Sequence, residues 1–162
     1  MATVMNLCEQ CSRAGKTCCQ GRDIYVTAGD VKRIAALTNQ SKVFEYRTCC
    51  DPDYEDQDDD PIWQLCVFRP DRTRRVLKQQ ANGDCLFLGP SGCRLPLEFR
   101  PLVCRLHPYN YSANGLFTEF VPDCPVHLLP PGRGLEDAVA GCNPVQAESW
   151  RRLLYIEILS QD

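Results

Sequence analysis

Four thiols fall within twelve positions near the start of the chain, Cys8-Glu9-Gln10-Cys11-Ser12-Arg13-Ala14-Gly15-Lys16-Thr17-Cys18-Cys19, and the last two are adjacent. No amphipathic helix or strand requires cysteine at that spacing, so packing does not account for the stretch. A C-x2-C pair sets two sulfurs on one tight loop, an arrangement that offers thiolates to a soft metal or an iron–sulfur cluster. Neighbouring side chains point in different directions, so Cys18 and Cys19 are expected to diverge. That suits a wide cluster, or two separate sites, better than one small tetrahedral ion. The first expectation is a soft-metal site that the rest of the chain completes.

Composition narrows the compartment and the partners. A chain of 162 residues suits one domain, residues 1–162, with a modest core. A net charge of −3 gives no reason to expect nucleic acid or an anionic membrane surface. Twelve prolines and ten glycines indicate short elements joined by loops. The twelve cysteines, an even number, also fit a disulfide framework. Such frameworks belong to secreted chains, and Met1-Ala2-Thr3-Val4-Met5-Asn6-Leu7 has neither the basic start nor the apolar core of a signal peptide. With no apolar run of about 18 residues, no membrane span is expected either. In a reducing cytoplasm, dense cysteine reads as metal binding or redox chemistry.

Local signals place the elements. Asp23–Val26 reads as a short strand. Thr27 reads as an N-cap with Asp30 as a shortened capping box, and Val31, Ile34, Ala35 and Thr38 share the face of a helix over 28–38 that stops at Asn39. Ser41 is expected to cap a second short helix carrying Val43, Phe44 and Tyr46. Residues 51–60 hold seven acids in ten positions and read as a solvated loop, without the glycine and closing glutamate of a calcium loop. The basic stretch Arg69, Arg72, Arg74, Arg75 and Lys78 is expected to face this loop rather than nucleic acid. Trp63, Leu65, Val67 and Phe68, then Val76 and Leu77, suggest strands around Pro70-Asp71. Asn82-Gly83 predicts a hairpin of 74–81 with 85–88, and Asn114-Gly115 one of 109–112 with 116–121. After the connection Pro130–Gly134, Asn143 and Pro144 open a closing helix over about 144–159, with Ala147, Trp150, Leu153, Leu154, Glu157 and Ile158 on one stripe.

The middle of the chain repeats the opening theme at wider spacing: Cys85-Leu86-Phe87-Leu88, Cys93, then Arg100-Pro101-Leu102-Val103-Cys104-Arg105-Leu106-His107-Pro108. With Cys8, Cys11, Cys18 and Cys19 ahead of them, these segments resemble the YkgJ-like cysteine-cluster proteins, a family of zinc- or iron-chelating domains. The resemblance covers about residues 8–134, and Cys124 matches a further cysteine of the pattern. Two departures are the long gap between Cys11 and Cys18 and His107, which stands where an aromatic is usual. The resemblance implies metal ligation by Cys8, Cys11, Cys18, Cys19, Cys85, Cys93, Cys104 and Cys124. Cys49, Cys50, Cys66 and Cys142 fall outside the pattern and carry no assigned role.

Eight thiols serve two four-thiolate sites, or one site with the remainder structural. The cofactor expected is an iron–sulfur cluster, 4Fe-4S in kind, with zinc as the alternative. A four-thiolate centre carries about two net negative charges, which Arg13, Lys16, Arg94 and Arg105 are placed to offset. Backbone N–H groups of the 89–92 loop are further candidate donors to the sulfurs. His107 and His127 read as structural histidines rather than ligands. Gly15-Lys16-Thr17 is not a phosphate-binding loop, because Gln10 stands where that motif needs glycine. Three roles remain open: a structural or electron-transfer iron–sulfur protein, a zinc-stabilised interaction module, and an enzyme related to flagellin lysine methylases, which contain a similar cysteine domain. The fold class expected is α+β, a small loop-rich domain whose short helices and β-hairpins wrap around a cysteine-ligated metal or cluster site.

Overall fold

The computed structural model of the chain describes residues 7–13, 18–49, 60–120, 124–135 and 143–160. It is an α+β fold of short helices and antiparallel pairs. The elements are α1 (Leu7–Arg13), α2 (Ala28–Thr38), β1 (Phe44–Thr48), α3 (Pro61–Cys66), β2 (Thr73–Leu77), β3 (Leu88–Gly89), β4 (Gly92–Cys93), α4 (Leu102–Leu106), β5 (Tyr109–Ser112), β6 (Gly115–Phe120) and α5 (Pro144–Leu159). The acidic run up to Asp59, with Gly15, Lys16, Thr17, Cys50, Val121 and Cys142, lies outside the described residues.

Where local chemistry is strong, the elements fall where it predicts. Thr27 Oγ1 accepts from the Asp30 N–H at 2.9 Å while the Asp30 carboxylate accepts from the Thr27 N–H at 3.0 Å, a complete capping box. Asn39 ends α2 in the left-handed conformation, φ 57°. Asn143 accepts from the N–H groups of Val145 and Gln146, and Pro144 opens α5. The Asn114-Gly115 turn joins β5 to β6.

Two local expectations are overturned and a third is shortened. Residues 44–48 form strand β1, not a helix, and pair antiparallel with β2 from Phe44↔Leu77 to Thr48↔Thr73. Two aromatics in alternation suit a pleated surface, and β2 supplies the partner that a short isolated helix lacks. Residues 61–66 are helical, not extended: Asp60 accepts from the Trp63 N–H and Pro61 sits in the first turn. The hairpin around Asn82-Gly83 forms but is shorter than expected: 78–80 pair with 84–86 through Gln80 N–H to Asp84 O, Leu86 N–H to Lys78 O and the Gln79↔Cys85 bridge, while 74–77 pair with β1 and Tyr25 instead. The Asp23–Val26 segment is extended, bonded to β2 through Val26 N–H to Arg75 O and Leu77 N–H to Ile24 O.

Two apolar clusters form the core. Leu102, Leu106, Leu135, Ala147, Trp150, Leu154 and Ile158 pack α4 against α5, joined by Tyr25, Trp63, Tyr109 and Tyr155. Ile24, Val26, Ile34, Val43, Leu77, Phe87 and Leu95 build the second cluster around Cys85. Glu157 stands on the predicted stripe of α5 but is tied to α2, accepting from Arg33 at 2.6 Å and from Thr27.

Candidate metal centre

Cys8 and Cys11 sit on α1 rather than on a loop. Their separation of three places them on one helix face, so a single turn presents both sulfurs the same way. Gly92, at φ 98°, brings the β3–β4 turn against this helix, where a Cβ would stand 3.8 Å from the Cys8 carbonyl oxygen. Ser12 Oγ donates to Gly89 O at 3.3 Å from the same helix. The 89–92 loop is thus a backbone buttress for α1.

The segment carrying Cys18 and Cys19 joins the middle of the chain through its backbone. Cys85 N–H donates to Cys19 O at 2.7 Å, Gly21 N–H donates to Gly83 O at 3.1 Å, and Gln20 is bridged to Asp84. The two cysteine sets are therefore joined by polypeptide geometry. Cys104 is delivered by α4, where it packs against the second apolar cluster.

These elements enclose a cavity of about 1280 Å³, and Cys8, Cys11, Cys18, Cys19, Cys85, Cys93, Cys104 and Cys124 all line it. Its other walls come from both apolar clusters, with Tyr25, Trp63, Tyr109 and Tyr155 on one side and Leu77, Phe87 and Leu95 on the other. The cavity leaves Cys8 and Cys18 open to solvent although protein surrounds them. Among the described residues, no three thiol, imidazole or carboxylate groups close around one point as a finished single-ion site. What the eight share is a wall.

The thiols act on one another across this space. Burial pushes Cys8 up to about 11, and Cys18, Cys11 and Cys93 add to the effect while Arg100 opposes it. Cys11 is raised by burial and by Cys18. Cys85 rises to about 11, through burial first and then through Cys93 and Cys18. Cys104 is raised well above the ordinary thiol value, again by burial first, with Cys18, Cys85 and Cys93 contributing. Cys18 and Cys19 do not diverge. They share a hydrogen bond, which lowers Cys18 and raises Cys19. Desolvation and mutual repulsion disfavour a cavity full of thiolates, and a bound cation removes that penalty. The donor set suits a soft metal.

Two of the four cations expected to offset the thiolates, Arg94 and Arg105, are directed elsewhere, and Lys16 lies outside the described residues. Arg105 turns away, donating to Arg100 O at 2.8 Å and Glu98 O at 2.6 Å with its guanidinium over Trp150. Arg94 is spent on Leu86 O. Arg100 and Arg22 line the cavity instead, and they favour the thiolates of Cys8 and Cys18 respectively. Arg100 was visible as the arginine before Pro101, whereas nothing in the sequence marked Arg22. Cys49 also reaches the cavity wall, a ninth thiol with no sequence signal for it. Cys66 is exposed on α3 and His127 is exposed beyond β6. His107 lines the cavity, its Nε2 3.4 Å from Cys124 Sγ.

An α+β chain that walls a cavity with soft donors defines a cysteine-rich chelating protein. The family model CxxCxxCC, described as a "putative zinc- or iron-chelating domain", matches residues 7–125, and the chain belongs to that family. No curated protein and no solved structure matches it. Among the described residues, no helix is long and apolar enough to cross a membrane.

Proposed function

We propose that Cys8, Cys11, Cys18, Cys19, Cys85, Cys93, Cys104 and Cys124 hold an iron–sulfur centre, 4Fe-4S in kind, in a single-domain cytoplasmic protein. The observation that carries the reading is that all eight thiols line one cavity. A four-coordinate zinc uses only half of such a donor set, whereas two clusters, or a cluster and a zinc, use all of it. Arg22 and Arg100 supply positive charge beside the net negative charge of a thiolate-ligated centre. When bound, such a centre supplies one-electron transfer and staples the elements that carry its ligands. The chain's own part is to bring α1, the Cys18-Cys19 segment, the 85–93 region and α4 to the same wall, with Tyr25, Trp63, Phe87 and Leu95 as its apolar lining.

The test is iron, zinc and acid-labile sulfide measured on the full chain purified without oxygen, together with its visible spectrum. The reading expects a brown protein with iron and sulfide in equal amounts and a broad visible band. Stoichiometric zinc with neither iron nor sulfide refutes it and leaves a zinc-stabilised module.

A further inference from the structure

We infer that His107 Nε2 and Cys124 Sγ ligate one and the same metal, giving the cavity a mixed imidazole–thiolate corner. This rests on the reading that the cavity thiols hold metal, and it applies to zinc and iron alike.

His107 is the residue immediately after α4, three positions beyond Cys104, so the helix that delivers a thiol also delivers the imidazole. Its side chain is half-buried at the cavity wall. Cys124 reaches the same corner from beyond β6, with Sγ 3.4 Å from Nε2. A tetrahedral metal with a sulfur ligand at about 2.3 Å and a nitrogen ligand at about 2.0–2.1 Å holds those two atoms about 3.6 Å apart. The spacing found is within about 0.2 Å of that value and corresponds to a ligand–metal–ligand angle of about 103°. The pair is thus spaced to receive an ion with little rearrangement. Cys18 lines the same cavity and interacts electrostatically with the imidazole, so it is one candidate for a further donor. Imidazole is a good ligand for both zinc and iron. The other histidine of the chain, His127, is exposed and does not line the cavity, which makes the placement of His107 selective.

The experiment loads the reduced full chain with Zn²⁺ under anaerobic conditions and records X-ray absorption at the metal edge. Wild type, His107→Phe and Cys124→Ser are compared, with metal affinity measured by competition against a chelator. The wild-type spectrum is expected to contain the multiple scattering of one imidazole. His107→Phe, which restores the aromatic of the resembling pattern, is expected to lose that scattering while retaining sulfur ligation, and its affinity is expected to fall at least tenfold. Cys124→Ser is expected to remove one sulfur neighbour. An all-sulfur shell in the wild-type protein overturns the inference and shows the contact to be an imidazole–thiol hydrogen bond only, a result that needs no variant to fold. Spectra that are identical in wild type and His107→Phe also overturn it. Failure of the iron–sulfur reading shows separately, as missing iron and sulfide in the protein as purified, and imidazole scattering on zinc would survive that outcome.

Discussion

Replacing Asp30 with alanine is expected to destabilise the protein by about 3–5 kcal/mol and to loosen the helix that carries Cys104. Asp30 is 1% exposed and its carboxylate accepts three hydrogen bonds. Its Oδ2 accepts from the Thr27 N–H at 3.0 Å, and its Oδ1 accepts from Arg33 at 2.6 Å and from the Leu102 N–H at 3.1 Å. Leu102 is the first residue of α4, so this carboxylate ties the start of α2 to the start of the cysteine-bearing helix. Alanine leaves two buried backbone donors without these acceptors, at about 1–3 kcal/mol each. It also removes one carboxylate from Arg33, which keeps Glu157 through both terminal nitrogens at 2.6 and 2.9 Å. Burial raises the Asp30 carboxyl, so part of the gross attraction is already spent on desolvation, which keeps the expected loss at about 3–5 kcal/mol, short of the top of the summed range. For a chain of this size the melting temperature falls by roughly 2–4 °C per kcal/mol, hence by roughly 6–20 °C.

Urea denaturation with a calorimetric scan measures this change, and metal content measured in parallel reports on Cys104. Asp30→Asn separates charge from hydrogen bonding: one acceptor remains and one becomes a donor facing a backbone N–H, so about half the loss is expected. If Asp30→Ala costs less than about 1 kcal/mol, the coupling of α2 to α4 through this side chain is refuted.

Two further outcomes follow from the same contacts. Hydrogen bonds from Arg151 hold the Glu148 carboxyl down at about 2, against the opposing effect of burial, with Arg152 also lowering it. Because the folded value lies below the unfolded one, the stability it contributes is present above about pH 4.5 and is lost as the pH falls towards 2. Acid titration of stability should show this component in the wild type and a flatter profile in Glu148→Gln, the effect staying small because the pair is partly solvated. Leu154, fully buried between α4 and α5, should cost about 2–5 kcal/mol when cut to alanine, and a urea midpoint within experimental error of wild type would contradict the packing described.

Elements whose ends are set by their own residues were legible before any tertiary information. The Thr27/Asp30 box, Asn39, the Asn114-Gly115 turn and the Asn143-Pro144 start each satisfy backbone groups within a few residues, and each falls where it was expected. Residues 44–48 were misread because the alternation of Phe44 and Tyr46 with Glu45 and Arg47 was outweighed by Ser41 as a helix cap, and 61–66 because the run is too short for period to separate helix from strand. Pairing with β2 decided the first, and the Asp60-Pro61 cap, submerged at the end of an acidic run, decided the second.

The chelating wall divides in the same way. Softness and number of donors are properties of residue type, so the order of cysteines was enough to indicate a metal-binding class. Which sulfurs meet is a matter of distant chain. Cys19 reaches Cys85 through a backbone hydrogen bond across 66 positions of sequence, α4 carries Cys104 to the same cavity because Asp30 anchors its first N–H, and Arg105 is diverted to Glu98 and Arg100 while Arg22 and Arg100 face the thiols. The sequence by itself determined the chemistry of the donors. Their common cavity, their counter-charges and the pairing of His107 with Cys124 were decided by long-range hydrogen bonds and burial, which no local spacing encodes.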